Sequence, residues 1–136
     1  MRDVDFRVQL FRTELERPRS ERALGYFLAT LTAIKCDYLR QYPQTPKLYD
    51  AGVRYKAEPS GQEEWKDVPT VRLDGHGDCE DLACWRTAEL IVSGIQARPI
   101  FKYQRVTPEF SLYHIQVRWP NGRIEDPSKV LGMGAK

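Results

Sequence analysis

At 136 residues, with 41% hydrophobic and 29% charged residues, the sequence has the size and balance of one soluble globular domain with a single core, which sets aside disordered and membrane classes. The formal net charge is only +2, and arginines alternate with acids along the N-terminal third, so no basic stripe recommends a nucleic-acid partner. No apolar run approaches a membrane span, and the stretch from Met1 to Asp5 carries acids without an apolar core, so neither a membrane partner nor a signal peptide is expected.

Val4, Phe6, Val8 and Leu10 alternate with Asp5, Arg7 and Gln9 at the period of a half-buried strand, although the same residues also fit a helix running to Arg17. Pro18 breaks whatever precedes it. Ser20 then reads as the N-cap of a long amphipathic helix with Glu21 in its first turn. Leu24, Phe27, Leu28, Leu31, Ile34, Tyr38 and Tyr42 form its apolar stripe, Cys36 lies on it as a structural cysteine, and Pro43 ends it. Between 43 and 77 the composition shifts to Pro43, Pro46, Gly52, Pro59, Gly61 and Pro69 among charges, the mark of a surface loop with short strands or a binding lid. Val53-Arg54-Tyr55 and Thr70-Val71-Arg72-Leu73 are the two candidate strands. Trp65, flanked by Glu63, Glu64, Lys66 and Asp67, is either a substrate-contacting cleft wall or an anchor for the loop.

The stretch Gly75-His76-Gly77-Asp78-Cys79-Glu80-Asp81-Leu82-Ala83-Cys84-Trp85 is a glycine-loosened loop running into a helix. Asp78 is a good N-cap and Asp81 sits at the position of a capping box, which puts Cys79 at the first helical residue. A thiol there feels the positive end of the helix dipole, which favours thiolate; the nearby acids oppose it. The helix runs to Ser93, with Gly94 as its stop. Residues 97–106 and 111–119 then read as strands, separated by a turn at Thr107-Pro108-Glu109. Pro120-Asn121-Gly122 is a hairpin turn leading into a third strand, Arg123 to Asp126, closed by Pro127, and the Gly-rich tail from Ser128 lies along the surface. Cys79 and Cys84 fall on different faces of one helix, and the three cysteines lack zinc-type spacing, so reduced thiols in a cytoplasmic setting are expected.

A helix-start cysteine followed by His114 on one strand and Asp126 at the end of the next has the order of a thiol nucleophile, its base and the acceptor that orients the base. Pairing about Asn121-Gly122 with 119 opposite 124 sets His114 beyond the direct partner of Asp126, so the aspartate has to reach diagonally or a bulge has to intervene. His76 is a rival base, but it lies in the loop leading into the nucleophile's own helix, where it serves better as a wall of the cleft that substrate touches. Asp78, Glu80 and Asp81 read first as helix capping and dipole compensation.

Gly77-Asp78-Cys79-Glu80-Asp81-Leu82-Ala83, the helix end Ser93-Gly94-Ile95-Gln96-Ala97-Arg98, Tyr113-His114-Ile115-Gln116-Val117 and Ile124-Glu125-Asp126-Pro127 together resemble the transglutaminase-like branch of the papain-fold cysteine hydrolases. The likeness is nearest to the bacterial transglutaminase-like cysteine proteinases and spans Gly75 to Pro127. It implies a single α+β domain over 1–136, with the nucleophile-bearing helix packed on a small antiparallel sheet beside the N-terminal amphipathic helix. It implies a Cys79–His114–Asp126 triad that cleaves amide or related acyl bonds in a peptide or protein through a thioester, with the Cys79 backbone N–H donating to the oxyanion. The same triad permits acyl transfer to an amine. A papain-like scaffold used for binding or assembly, in a phage or virion setting, is the alternative from another class. No cofactor is required by this chemistry, although some such proteinases bind calcium beside the nucleophile, which makes Asp78, Glu80 and Asp81 calcium candidates. The chain departs from many members in having Ile115, not a small residue, after His114.

Overall fold

Helix α1, Arg17–Gln41, opens the part of the chain described by the computed structural model, which covers residues 16–58, 64–107 and 110–134. The candidate strand at 4–10 lies outside these residues. Pro18 does not break the chain, as the sequence suggested, but sits in the first turn of α1, where its missing N–H would have had no intrahelical acceptor. Glu16 is therefore the N-cap, and Ser20, expected to cap, is a buried residue of the second turn. The buried stripe is also narrower than the periodicity implied. Leu24, Leu28, Leu31 and Leu39 face inward, while Ile34 and Tyr42 are exposed, and the inward position beside Ile34 is taken by Lys35, which is fully buried.

A 3-10 turn at Leu48–Asp50 leads to a two-residue strand β1, Arg54–Tyr55, where one was expected. The second candidate strand is instead helix α2, Val68–Asp74. Its ends explain the difference. The Asp67 carboxylate caps the helix by accepting the Thr70 N–H at 2.9 Å, Pro69 fits the first turn, and Gly75 closes it at a positive φ of 78°. Val68 and Val71, three apart, are buried, whereas Leu73 points to solvent. Strand β2, His76–Gly77, runs parallel to β1, with Tyr55 opposite Gly77.

Helix α3, Cys79–Val92, is central. Leu82, Ala83, Cys84, Trp85 and Ala88 are all shut off from solvent, as suits a helix covered on most sides. Cys84 lies in one apolar cluster with Leu24, Leu28 and Val117, and Trp85 lies in a second with Leu39, Leu48 and Val68. Against α3 stands a three-stranded antiparallel sheet in the order β3–β4–β5, made of Arg98–Thr107, Phe110–Arg118 and Ile124–Glu125. Ile115 and Val117 of β4 enter the core. The hairpin turn forms at Asn121-Gly122, with Gly122 at φ 90°, and pairs Arg118 with Ile124, one residue from the register that the sequence suggested. The tail is not wholly superficial: Pro127–Val130 form a short helix α4, in which Ser128 is buried. The fold is thus α+β, and no helix among the described residues is long and apolar enough to cross a membrane.

Candidate active site

The helix-start cysteine is set by local chemistry. Asp78 caps α3 while the Asp81 carboxylate accepts the Asp78 N–H at 3.1 Å, completing the capping box. Gly77 keeps this approach close, because a Cβ there would stand 3.0 Å from Asp81 Cβ and 3.3 Å from Leu82 Cδ2 and would push those side chains back. This brings Cys79 into one apolar cluster with Ile115 of β4, which lies beyond the last β4–β5 pair and whose backbone N–H favours the ionised sulfur. The thiol itself donates to Glu80 Oε2 at 3.5 Å.

The sulfur is less accessible than the sequence led us to expect, at 8% exposure for Cys79. Burial, followed by the charges of Glu80 and Asp78, pushes the thiol well above its usual range, and the Ile115 hydrogen bond only partly offsets this. The helix dipole does not prevail because burial, and then the charges of Glu80 and Asp78, act against it. The Cys79 backbone N–H is also committed: it donates to Asp78 Oδ1 at 2.6 Å, while Asp78 Oδ2 accepts the Glu58 N–H at 2.9 Å.

His114 and Asp126 do meet. His114 Nε2 lies 2.8 Å from Asp126 Oδ2, and the carboxylate reaches diagonally across the ladder, one of the two routes that the register allowed. Gln116, opposite Asp126 when the β4–β5 register is continued, donates to the same oxygen at 3.2 Å. Burial acts to raise the Asp126 carboxyl, but the hydrogen bonds from His114 and Gln116 outweigh it and hold Asp126 below the usual range. With Nε2 facing the carboxylate, Nδ1 is left as the basic nitrogen. Among the described residues, the sulfur's hydrogen bond goes to Glu80 and not to the imidazole, although Ile115, the residue after His114, packs in the cluster with Cys79.

Asp126 is positioned from its other neighbours too. It caps α4 by accepting the Lys129 N–H at 3.4 Å. The adjacent Glu125 is clamped by Tyr49 Oη at 2.5 Å, Arg86 Nε at 2.7 Å and Trp119 Nε1 at 3.0 Å, which ties β5 to α3 and to the 3-10 turn. Trp65 packs edge-to-face on Phe27, with ring centroids 6.1 Å apart, beside the apolar cluster that contains Cys79. Its backbone neighbour Lys66 is held from two helices. Asp81 Oδ1 accepts the Lys66 N–H at 2.7 Å, and Lys35 Nζ donates to the Lys66 carbonyl at 2.5 Å. Burial raises Asp81 to about 6, with Lys35 opposing, and burial lowers Lys35. His76 sits half-buried in β2, and among the described residues its Nδ1 has no partner.

The calcium candidates are divided by these bonds. Ligand atoms of Asp78, Cys79 and Glu80 lie within 4.8 Å of one another. Asp78 and Asp81, however, spend their oxygens on backbone N–H groups, so the three acids do not build the shell of roughly six to eight oxygens that calcium takes.

Gln116, Tyr55 and Lys35 escaped the sequence reading. Alternation along β4 places Gln116 beside His114, a signal that was available. Nothing in the local pattern marks Lys35 as buried. Tyr55 stands on β1 opposite Gly77, its ring packs against the cluster that contains Cys79 and its N–H donates to the Leu131 carbonyl, and its phenol is raised to about 12 by burial and by the charges of Asp78, Cys79, Glu80 and Asp126. Comparison of the chain with family models, with curated proteins and with solved structures finds no match.

Proposed function

We propose that the chain is a cysteine hydrolase of the transglutaminase-like, papain-fold kind, a peptidase or amidase working through a thioester. The observation that carries this reading is the 2.8 Å His114–Asp126 pair on the strand whose next residue, Ile115, lies in one apolar cluster with the helix-start cysteine. Asp126 holds His114 Nε2, so Nδ1 is the nitrogen that accepts the Cys79 proton. Because the thiol is pushed up, proton transfer accompanies attack and no thiolate–imidazolium pair stands ready beforehand. The Sγ–C bond forms, the imidazolium returns the proton to the departing amine as the C–N bond breaks, and water activated by His114 hydrolyses the thioester. An amine in place of that water would make the reaction acyl transfer.

The reading is tested by timed iodoacetamide labelling. All three thiols are buried, so it is the His114 base that is expected to make Cys79 react well ahead of Cys36 and Cys84, and its rate is expected to fall in His114→Ala. Equal labelling of the three thiols overturns it. The burial of Cys79 favours a second reading, a papain-like scaffold that binds or assembles, for instance in a virion, without turnover. A peptide-substrate screen on wild type and Cys79→Ser separates the two, since identical profiles leave only the scaffold.

A further inference from the structure

Attack on an acyl carbonyl throws negative charge onto its oxygen, and that charge needs a donor at about 2.7–3.1 Å. The donor expected from the helix start is spent, because the Cys79 N–H is bound to Asp78 Oδ1. The carboxyl oxygens of Asp78, Glu80 and Asp126 already act as acceptors, from backbone N–H groups, the thiol and His114. His114 is occupied as the base.

Tyr55 supplies what they cannot. Its strand is stitched to both halves of the site: the Lys56 N–H donates to the Gly77 carbonyl at 2.9 Å, two residues before Cys79, and the Tyr55 N–H donates to the Leu131 carbonyl at 3.0 Å, just past the helix that Asp126 caps. The ring packs against the apolar cluster that holds Cys79 and Ile115. Among the described residues the hydroxyl makes no hydrogen bond, so its proton is available to an incoming oxygen. Burial and the surrounding acids keep that proton in place at neutral pH.

We propose that the Tyr55 hydroxyl is a catalytic hydrogen-bond donor that holds the developing oxyanion when Cys79 attacks an acyl carbonyl. The assignment rests on the hydrolase reading, and one pair of reactions separates the two. p-Nitrophenyl acetate acylates a cysteine through a tetrahedral oxyanion, with the Sγ–C bond forming and nitrophenolate leaving. Iodoacetamide alkylates the same sulfur by displacing iodide, with no oxyanion.

In Tyr55→Phe the acylation of Cys79 is expected to slow on the order of 100-fold, with alkylation within about twofold of wild type. Circular dichroism and thermal unfolding report that the variant is folded, and the phenylalanine ring retains the packing. Unchanged acylation overturns the Tyr55 assignment and leaves the hydrolase reading standing. An equal fall in both reactions makes Tyr55 a packing residue and overturns the assignment as well. Wild-type Cys79 that is not acylated overturns both. Should Tyr55→Phe not fold, difluorotyrosine at position 55, nearly the same shape and a stronger donor, is expected to change acylation alone, and no change there overturns the assignment.

Discussion

Replacing Glu80 with glutamine is expected to make Cys79 more reactive. In the resting site the thiol donates to Glu80 Oε2 across 3.5 Å, so ionising the sulfur would set two negative charges at that separation. At an effective dielectric of about 20, such a pair repels by about 5 kcal/mol. Solvent and salt screening reduce the gain on removing it. A residual of about 1.4–2.8 kcal/mol corresponds to a rise of roughly 10- to 100-fold in the thiolate population. Glutamine keeps the length and shape of the side chain, and the lost interaction with the helix dipole costs about 0.3–1 kcal/mol of stability. The assay is the pH dependence of iodoacetamide alkylation at Cys79, read by peptide mass spectrometry. In Glu80→Gln the profile is expected to move to lower pH. An unchanged profile, or slower alkylation across the range, refutes the claim that Glu80 restrains the sulfur.

Lys35→Met leaves Asp81 buried without its cation and the Lys66 carbonyl without its donor, so urea unfolding at neutral pH is expected to show a loss of about 3–5 kcal/mol. Gly77→Ala forces a methyl against the Asp81 and Leu82 side chains, and the same assay is expected to show a loss of about 1–3 kcal/mol. Asp126 titrates below its usual range in the folded chain, so its contribution to stability is complete above the unfolded carboxyl value near 4 and is lost as pH falls through the folded value. The difference in stability between wild type and Asp126→Asn, measured by denaturation from pH 7 to pH 3, is therefore expected to shrink below about pH 4.

The elements built from short-range rules were legible. Asp78 and Asp81, three apart ahead of an apolar run, announce a capping box, and Asn121-Gly122 announces a hairpin. The meeting of His114 with Asp126 could be reasoned from strand order, and the diagonal reach absorbed the one-residue difference in register. What escaped depended on tertiary context. Thr70 to Leu73 has strand-like composition, yet its flanks, Asp67, Pro69 and Gly75, carry the helix signals and decide the outcome. Lys35 is buried because a carbonyl and a carboxylate from elements far along the chain converge on it, and no window of sequence around residue 35 contains either. The accessibility of Cys79 likewise depends on Ile115 and Glu80 closing around it after folding.

The clamp on Lys66 fixes which wall of the site can give way. The N–H and the carbonyl of this one residue are gripped by oppositely charged groups rooted in separate helices. Swinging the Trp65 segment outward would strand an ammonium and a carboxylate in hydrocarbon, a penalty of several kcal/mol that a visiting molecule would have to outbid. That side behaves as a doorpost.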